Sequence, residues 1–489
     1  EGGWSAPPCW DKPQAHQTTI RRREEGRVDL QRQLDADQHH VSLIWSQGAR
    51  LEETGPHRFS LSPAVGADTL QFTTAFSAKA ISDEPPDFYK TISASADHWQ
   101  KFWKSGGAID LSQSKDPRWK ELERRIVLSQ YLTAIQCAGS APPQESGLTQ
   151  NSWYGKFHLE MTAWHGVHFA LWGRVDLLER WMPWMRTTGL ESARRRAQRQ
   201  GYPGARWNKM IDAGGSWEGP SGAGAFRTTQ QGHAIYLPEL CYRLNKDRKF
   251  LEQYKDMVFD SADFMASFAA WDKKRKCYVV GPPMISGGES TRAEDSQNPM
   301  LELSYWAYGL ETAQRWRERL GMPRKEKWDH VLKNLAPLPI VDGRYVDMES
   351  YPNNWKGRPA LLEAFGCMPG VRVERKPMEK TFEKVAGNLG AWELWGCDFP
   401  MFAMTAARLG KPEAAVEMLL YDHPRNRYLA NGHMPQSRHL EAYLPTHGGL
   451  LWAVALMAAG WDGCPAGHAP GFPNDGKWVV RWEGLHSTP

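Results

Sequence analysis

From about Ser95 the apolar residues of this chain recur every three to four positions, and they keep that period almost to the end. The stretch Asp116–Ser140 is the clearest case, with Leu122, Ile126, Leu132 and Ile135 on one helical face. Further helical stretches follow at about 158–184, 230–245, 248–270, 298–320, 324–335, 400–421 and 447–460. The loops between them vary in length and no short repeat stands out, which excludes a regular solenoid. A chain of 489 residues has room for one large domain and a smaller one, and here the large one is helical.

Residues 1–94 read differently. Short alternating segments such as His40–Ile44 are separated by turn signals at Gly48, Gly55-Pro56 and Ser62-Pro63, which predicts a β-rich domain resembling the end of a β-sandwich. A Pro-containing bridge, Asp83–Asp87, leads to a linker helix placed at 95–117, with His98, Trp99, Phe102 and Trp103 on one face. The helical domain then spans 118–463. The segment 464–489 ends in the alternating Trp478, Val480 and Trp482, which predicts a β tail over Gly476–Leu485.

Charge narrows the partners. Lys+Arg 60 against Asp+Glu 56 leaves a formal net charge of +4, which gives no reason to expect nucleic acid. The run Arg194–Arg199 is read as an exposed helix end. No apolar run is long enough to cross a bilayer. The start at Glu1 shows no basic or apolar leader, so no signal peptide is read from it. The compartment stays open, with a periplasmic or extracellular place consistent if a leader preceded Glu1. The 7 cysteines are scattered without a CxxC pair, which points to buried thiols rather than a metal or disulfide framework. Oligomeric state is not readable.

Trp is the outlying count, at 24, and Trp153, Trp207, Trp217, Trp355 and Trp395 sit among Gly, Pro, His and Asn rather than on helix stripes. Indole in such places suits stacking on the flat apolar faces of sugars. Polar and aromatic residues also gather where loops enter helices. The stretch Glu145–Trp184 brings Trp153, Tyr154, His158 and Glu160. The Gly-rich loop Gly204–His233 brings Arg206, Trp207, Glu218, Gln231 and His233, without nucleotide-binding spacing. Val279–Trp306 brings Glu289, Glu294, Asp295, Asn298 as a helix cap and Glu302 one turn in; Asn388–Pro400 brings Trp395 and Asp398, also with a capping signal. Asn431–Gly449 brings His433, Gln436, His439, Glu441 and His447, whose spacing matches no compact metal motif, so neither metal nor cofactor is implied.

Taken together, these joints resemble the six-hairpin (α/α)6 glycosidases, in particular glycoside hydrolase family 65 and more distantly family 95. Gly147-Leu148-Thr149, Trp153-Tyr154-Gly155 and Phe157-His158-Leu159-Glu160 look like the GLTG…Y.GH.FWDTE signature. Gly204-Ala205-Arg206-Trp207 looks like the GA.(F/Y)PW loop, Gln231-Gly232-His233 stands at the E.H segment, and Gly281-Pro282 with Glu289 and Asn298 is similar to GPDEYH…NN. The resemblance implies a mainly α fold, an (α/α)6 barrel preceded by a partial β-sandwich and followed by a short β tail. It also implies inverting glycoside hydrolysis of an oligo- or polysaccharide, with Glu289 as general acid and Glu294, Asp295 and Glu302 as the alternatives. Leu444–Gly449 lacks the carboxylate that serves the hydrolases as base, so that role falls to Glu441, with Asp398 as the alternative. Trp153, His158, Glu160, Arg206, Trp207, Gln231, His233, Asn298, Glu302, Trp395, Asp398, His433, Gln436 and His447 are the expected sugar contacts. Three other readings share the fold: a disaccharide phosphorylase holding phosphate near His433, Arg438 and His447, a polysaccharide lyase, and an inactive sugar-binding protein.

Overall fold

Two-residue turns set the first body. Glu25-Gly26 and Asp35-Ala36 close antiparallel hairpins, and Gly26 and Asp35 take the positive φ (79° and 51°) that such tight turns require. The computed structural model describes residues 5–6, 12–216, 222–437 and 440–489. The chain divides into Pro8–Ser105 and a second body of Glu1–Pro7 with Gly106–Pro489.

In the smaller body the strands Gln17–Glu24, Arg27–Leu34, Asp37–Trp45 and Phe72–Ser77 form one antiparallel sheet in that order, and Arg50–Gly55 pairs with Arg58–Ser62 as a separate hairpin. The helix expected at 95–117 runs instead over Phe88–Trp103. Asp87 starts it by accepting the Lys90 N–H at 2.8 Å, a cap hidden behind the Pro-rich bridge, and Lys104 ends it.

In the larger body six outer and six inner helices alternate along the described sequence. The outer set is Trp119–Gln136, Leu190–Arg199, Arg248–Phe268, Glu326–Lys333, Arg375–Ala386 and Pro412–Leu420. The inner set is Thr162–Leu171, Gln230–Asn245, Met300–Arg319, Glu363–Gly366, Asp398–Arg408 and Leu444–Ala459; each packs on the next and the last packs on the first. The ring is therefore closed. All ten residues of Thr162–Leu171 are buried, as is all of Leu444–Ala459 except Ala459. A helix apolar on every face has no other stable place.

Small residues let the inner helices touch. A Cβ on Gly448 would collide with the Trp164 carbonyl, which is backbone and cannot step aside. Gly448→Ala is accordingly expected to cost roughly 3 kcal/mol and to lower the thermal midpoint by several degrees, measurable by calorimetry; an unchanged midpoint would mean that the ring is looser than this contact requires.

Two expectations are corrected by these elements. The run Arg194–Arg199 lies in the helix Leu190–Arg199, but Arg196 is buried there, donating to the Gly224 and Ala225 carbonyls; Arg194, Arg195, Gln198 and Arg199 face outward. The β tail shrinks to Arg481–Glu483, which pairs with Ala108–Asp110, because Trp478 and Val480 are buried by the body rather than by a strand partner.

Candidate active site

Each inner helix is entered by a loop, and all six loops deliver side chains to one cavity of about 440 Å³, within the usual range for small-ligand sites. The first contributes Glu145, Trp153, His158 and Glu160, the second Lys209 and Arg227, the third Glu289, the fourth Lys356 and Arg358, the fifth Glu393 and Trp395, and the sixth Tyr443.

Local pairing fixes the first two loops to each other. Phe157-His158 and Met210-Ile211 form a two-residue antiparallel ladder, which sets Lys209 beside His158 and Glu160. Trp153 and Tyr154 adopt positive φ (49° and 62°), a conformation that costs a non-glycine residue energy and that gathers at functional sites. Trp153 donates its indole N–H to Glu145. His158 Nδ1 lies 3.3 Å from Glu145 Oε1 and 3.9 Å from Glu160 Oε1, yet the geometry makes a hydrogen bond of neither. Both ring nitrogens and Glu160 Oε2 are buried without a hydrogen-bond partner among the described residues. Such atoms are costly unless a ligand satisfies them.

Glu289 is the electrostatic centre. Lys209 Nζ stands 2.7 Å from its Oε1 and 3.5 Å from Glu160 Oε1, and Arg227 donates to the same Glu289 oxygen. Burial alone would raise the Glu289 pKa, but the charges of Arg227 and Lys209 outweigh it and hold the carboxyl down at about 2. Although the Glu289 side chain keeps 34% of its surface open, both cations are almost wholly buried, so solvent screens the cluster weakly. Arg358 is anchored from behind, 2.6 Å from Asp398 Oδ1 and 2.8 Å from Glu363 Oε1.

Of the residues expected from the sequence, Trp153, His158, Glu160, Glu289 and Trp395 line the cavity. Others stand behind it as supports. Asp398 is the first residue of its helix rather than the cap before it, and accepts the Trp395 N–H at 2.7 Å. Gln436 accepts the Gly396 N–H at 2.9 Å, and His233 bridges the Glu160 carbonyl and the Tyr305 hydroxyl. Gln231 pairs with the Trp207 backbone, Trp207 donates to Ser261 in the core, and Glu302 binds the backbone of the third loop.

The rest lie elsewhere. Arg206 packs over Phe264 and Phe268 and bonds Gln200, and His447 meets Ser129 at 2.9 Å. His433 is half-buried outside the cavity lining. Asn298 is not a helix cap: it has φ 53°, accepts the Val280 N–H and donates to Glu349. Glu441, expected as the base, is exposed and does not line the cavity. Trp217, Glu218, Arg438 and His439 lie outside the described residues. Among the described residues no three His, Cys, Asp or Glu side chains gather as a metal site, and no helix is long and apolar enough to cross a membrane.

No family model matches the chain, and no curated protein matches it. Solved structures do. A human-microbiome protein assigned as a kojibiose phosphorylase superposes with a TM-score of 0.66 at 9% identity, over 90% of this chain and 67% of that one. A bacterial glucoamylase complexed with acarbose gives 0.54 at 13% identity, over 87% and 72%. A single-site variant of a glycosidase gives 0.52 at 16% identity, over 68% and 97%. The chain has the (α/α)6-barrel fold of these structures. At these identities the likeness speaks for the fold, and what the site does rests on its own residues.

The six-hairpin cavity also holds residues that the sequence left unmarked. Glu145, Lys209, Arg227 and Glu393 lie inside stretches singled out from the sequence, yet nothing local distinguishes them from solvated charges. The fourth loop, Lys356–Arg358, was marked only by Trp355 beside Gly and Pro.

Proposed function

We propose that the cavity binds a carbohydrate and cleaves a glycosidic bond by acid/base chemistry. What carries this reading is the convergence of four glutamates with Trp153, Trp395 and Tyr443 in one cavity fed by all six loops. Aromatic faces take the apolar faces of a sugar, the unpartnered atoms of His158 and Glu160 take its hydroxyls, and paired carboxyl groups are the chemistry of glycoside cleavage.

The charges suggest how the roles divide. A carboxyl held at about 2 is ionised at neutral pH, so Glu289 suits the carboxylate role, that of base or charge stabiliser, better than that of proton donor. Glu393, on the fifth loop, is exposed but, unlike Glu441, lines the cavity, and it is the carboxyl we assign as general acid. Glu441, outside the cavity, takes no part.

Glu393→Gln is expected to slow cleavage of glycosides with poor leaving groups by about a hundredfold or more, while a dinitrophenyl glycoside, whose leaving group needs no proton, is slowed far less. Equal losses on both would remove Glu393 from the acid role.

One observation favours phosphorolysis as a second reading. Arg227 and Lys209 converge on a single carboxylate oxygen, an arrangement that also suits a phosphate. A sugar 1-phosphate formed only in the presence of inorganic phosphate would replace hydrolysis with this reaction.

A further inference from the structure

The turn that presents Glu289 is held from behind by groups that do not line the cavity. Within the turn, the Glu289 N–H donates to the Ser286 carbonyl at 3.1 Å. Glu302, on the helix Met300–Arg319 and fully buried, accepts both the Gly287 N–H at 3.0 Å and the Thr229 hydroxyl at 2.7 Å on its Oε1. Thr229 lies two residues beyond Arg227, which donates to Glu289. Asp347 secures the turn's other flank. Its Oδ2 accepts the Ser286 hydroxyl at 3.2 Å, and that hydroxyl oxygen accepts the Gly288 N–H at 3.3 Å. The Asp347 carbonyl in turn accepts the Met300 N–H at 2.9 Å, tying Asp347 to the helix that carries Glu302.

The glycines of the turn are closely packed. A Cβ on Gly287 would stand 2.8 Å from Leu301 Cδ2 and 3.1 Å from Ala360 Cβ, and one on Gly288 would stand 3.0 Å from the Arg358 carbonyl.

We propose that Glu302 is a positioning residue: it clamps the second and third loops together so that Arg227 and Glu289 meet, while Asp347 fixes the far side of the same turn. The inference rests on the reading of Glu289 as an acting carboxylate.

A carboxylic acid is a poor choice here for stability alone. Burial pushes Glu302 up to about 7; the Thr229 hydroxyl and Arg227 oppose that shift, and Asp347, itself pushed up by burial to about 6, adds to it. Its second oxygen has no hydrogen-bond partner among the described residues. What the acid supplies is one strong acceptor for two donors on two loops, strongest when ionised. The charged and titratable groups that face it are Asp347 and Arg227.

The test compares kcat, KM and thermal midpoint for the wild type, Glu302→Gln, Glu302→Leu, Glu289→Gln and the double variant Glu289→Gln/Glu302→Leu, from pH 5 to 9. Leu offers no acceptor and is expected to lower kcat about thirtyfold or more with KM nearly unchanged. Gln keeps an acceptor and is expected to stay within about fivefold of wild type, and to lack any rise in kcat near pH 7 that ionisation of Glu302 gives the wild type. In the Glu289→Gln background the Leu change is expected to cost less than about threefold, because its effect passes through Glu289.

Equal losses in both backgrounds, or wild-type kcat in a folded Leu variant, overturn the proposal. Should the Leu variant fail to fold, Thr229→Val, which removes one of the two donors to Glu302, decides, and wild-type kcat in that variant, or a loss equal in both Glu289 backgrounds, overturns it. Glu289→Gln with undiminished turnover would instead bring down the reading of the site, and this inference with it.

Discussion

Glu289→Gln is expected to reduce kcat by about a thousandfold or more, the scale lost when a reacting carboxylate is removed from a preorganised site. The amide keeps the shape but not the charge that Arg227 and Lys209 surround. Those two cations are 5% and 6% exposed and are left with the charge of Glu160, so the variant is expected to fold with a clear loss of stability, since two buried cations lose their main counter-charge. The pH dependence carries the sign. A carboxyl depressed to about 2 stabilises the fold above the unfolded-state value near 4.5 and loses that stabilisation as pH falls toward 2. Glu289 therefore contributes no acid limb to kcat/KM in the wild type above about pH 3, and in Lys209→Met, with one cation removed, such a limb should appear at higher pH. Turnover of Glu289→Gln at wild-type levels would exclude Glu289 from the chemistry.

Arg358→Met should have the largest effect on stability. The Arg358 guanidinium is shared between Asp398 and Glu363, whose side chains are 0% and 4% exposed. Removing it strands two buried carboxylates, and breaking buried pairs in this way typically costs about 3–5 kcal/mol. Burial already raises both acids, with Arg358 as the main opposing charge. Without the guanidinium each would rise further and hold a proton that the unfolded chain releases above about pH 4. The deficit relative to wild type should therefore widen from pH 5 to pH 8 in denaturant titrations. A deficit constant across pH would show that only packing was lost. Trp395 should also loosen, since Asp398 holds both its backbone N–H and Arg358.

The architecture was legible because helical periodicity is a local signal. It located most of the helices, and five of the six loops could be recognised where polar and aromatic residues met the helix starts. The fourth loop escaped because the inner helix it feeds, Glu363–Gly366, has only four residues, too few to display a period. The cations of the site escaped for a different reason. Arg227 and Lys209 meet Glu289 across 62 and 80 residues of sequence, and a Gly-rich loop carries no mark of such a partner. The same blindness made Arg196 look solvated and Asn298 look like a cap, when each is defined by groups distant along the chain.

The closed ring sets an order on the making of the protein. During synthesis the first inner helix, Thr162–Leu171, gains its neighbour Gln230–Asn245 early, but its other side waits for Leu444–Ala459, almost three hundred residues later. Until then Trp164 and its surroundings present an apolar flank to the cell's chaperones, and contacts of such long sequence separation form slowly. Tyr443, at the entrance to that last helix, also supplies the final wall of the cavity. A ribosome-stalled chain lacking the sixth hairpin would thus be both sticky and unable to close the cavity, so the completion of the cavity during translation would time the closing of the ring.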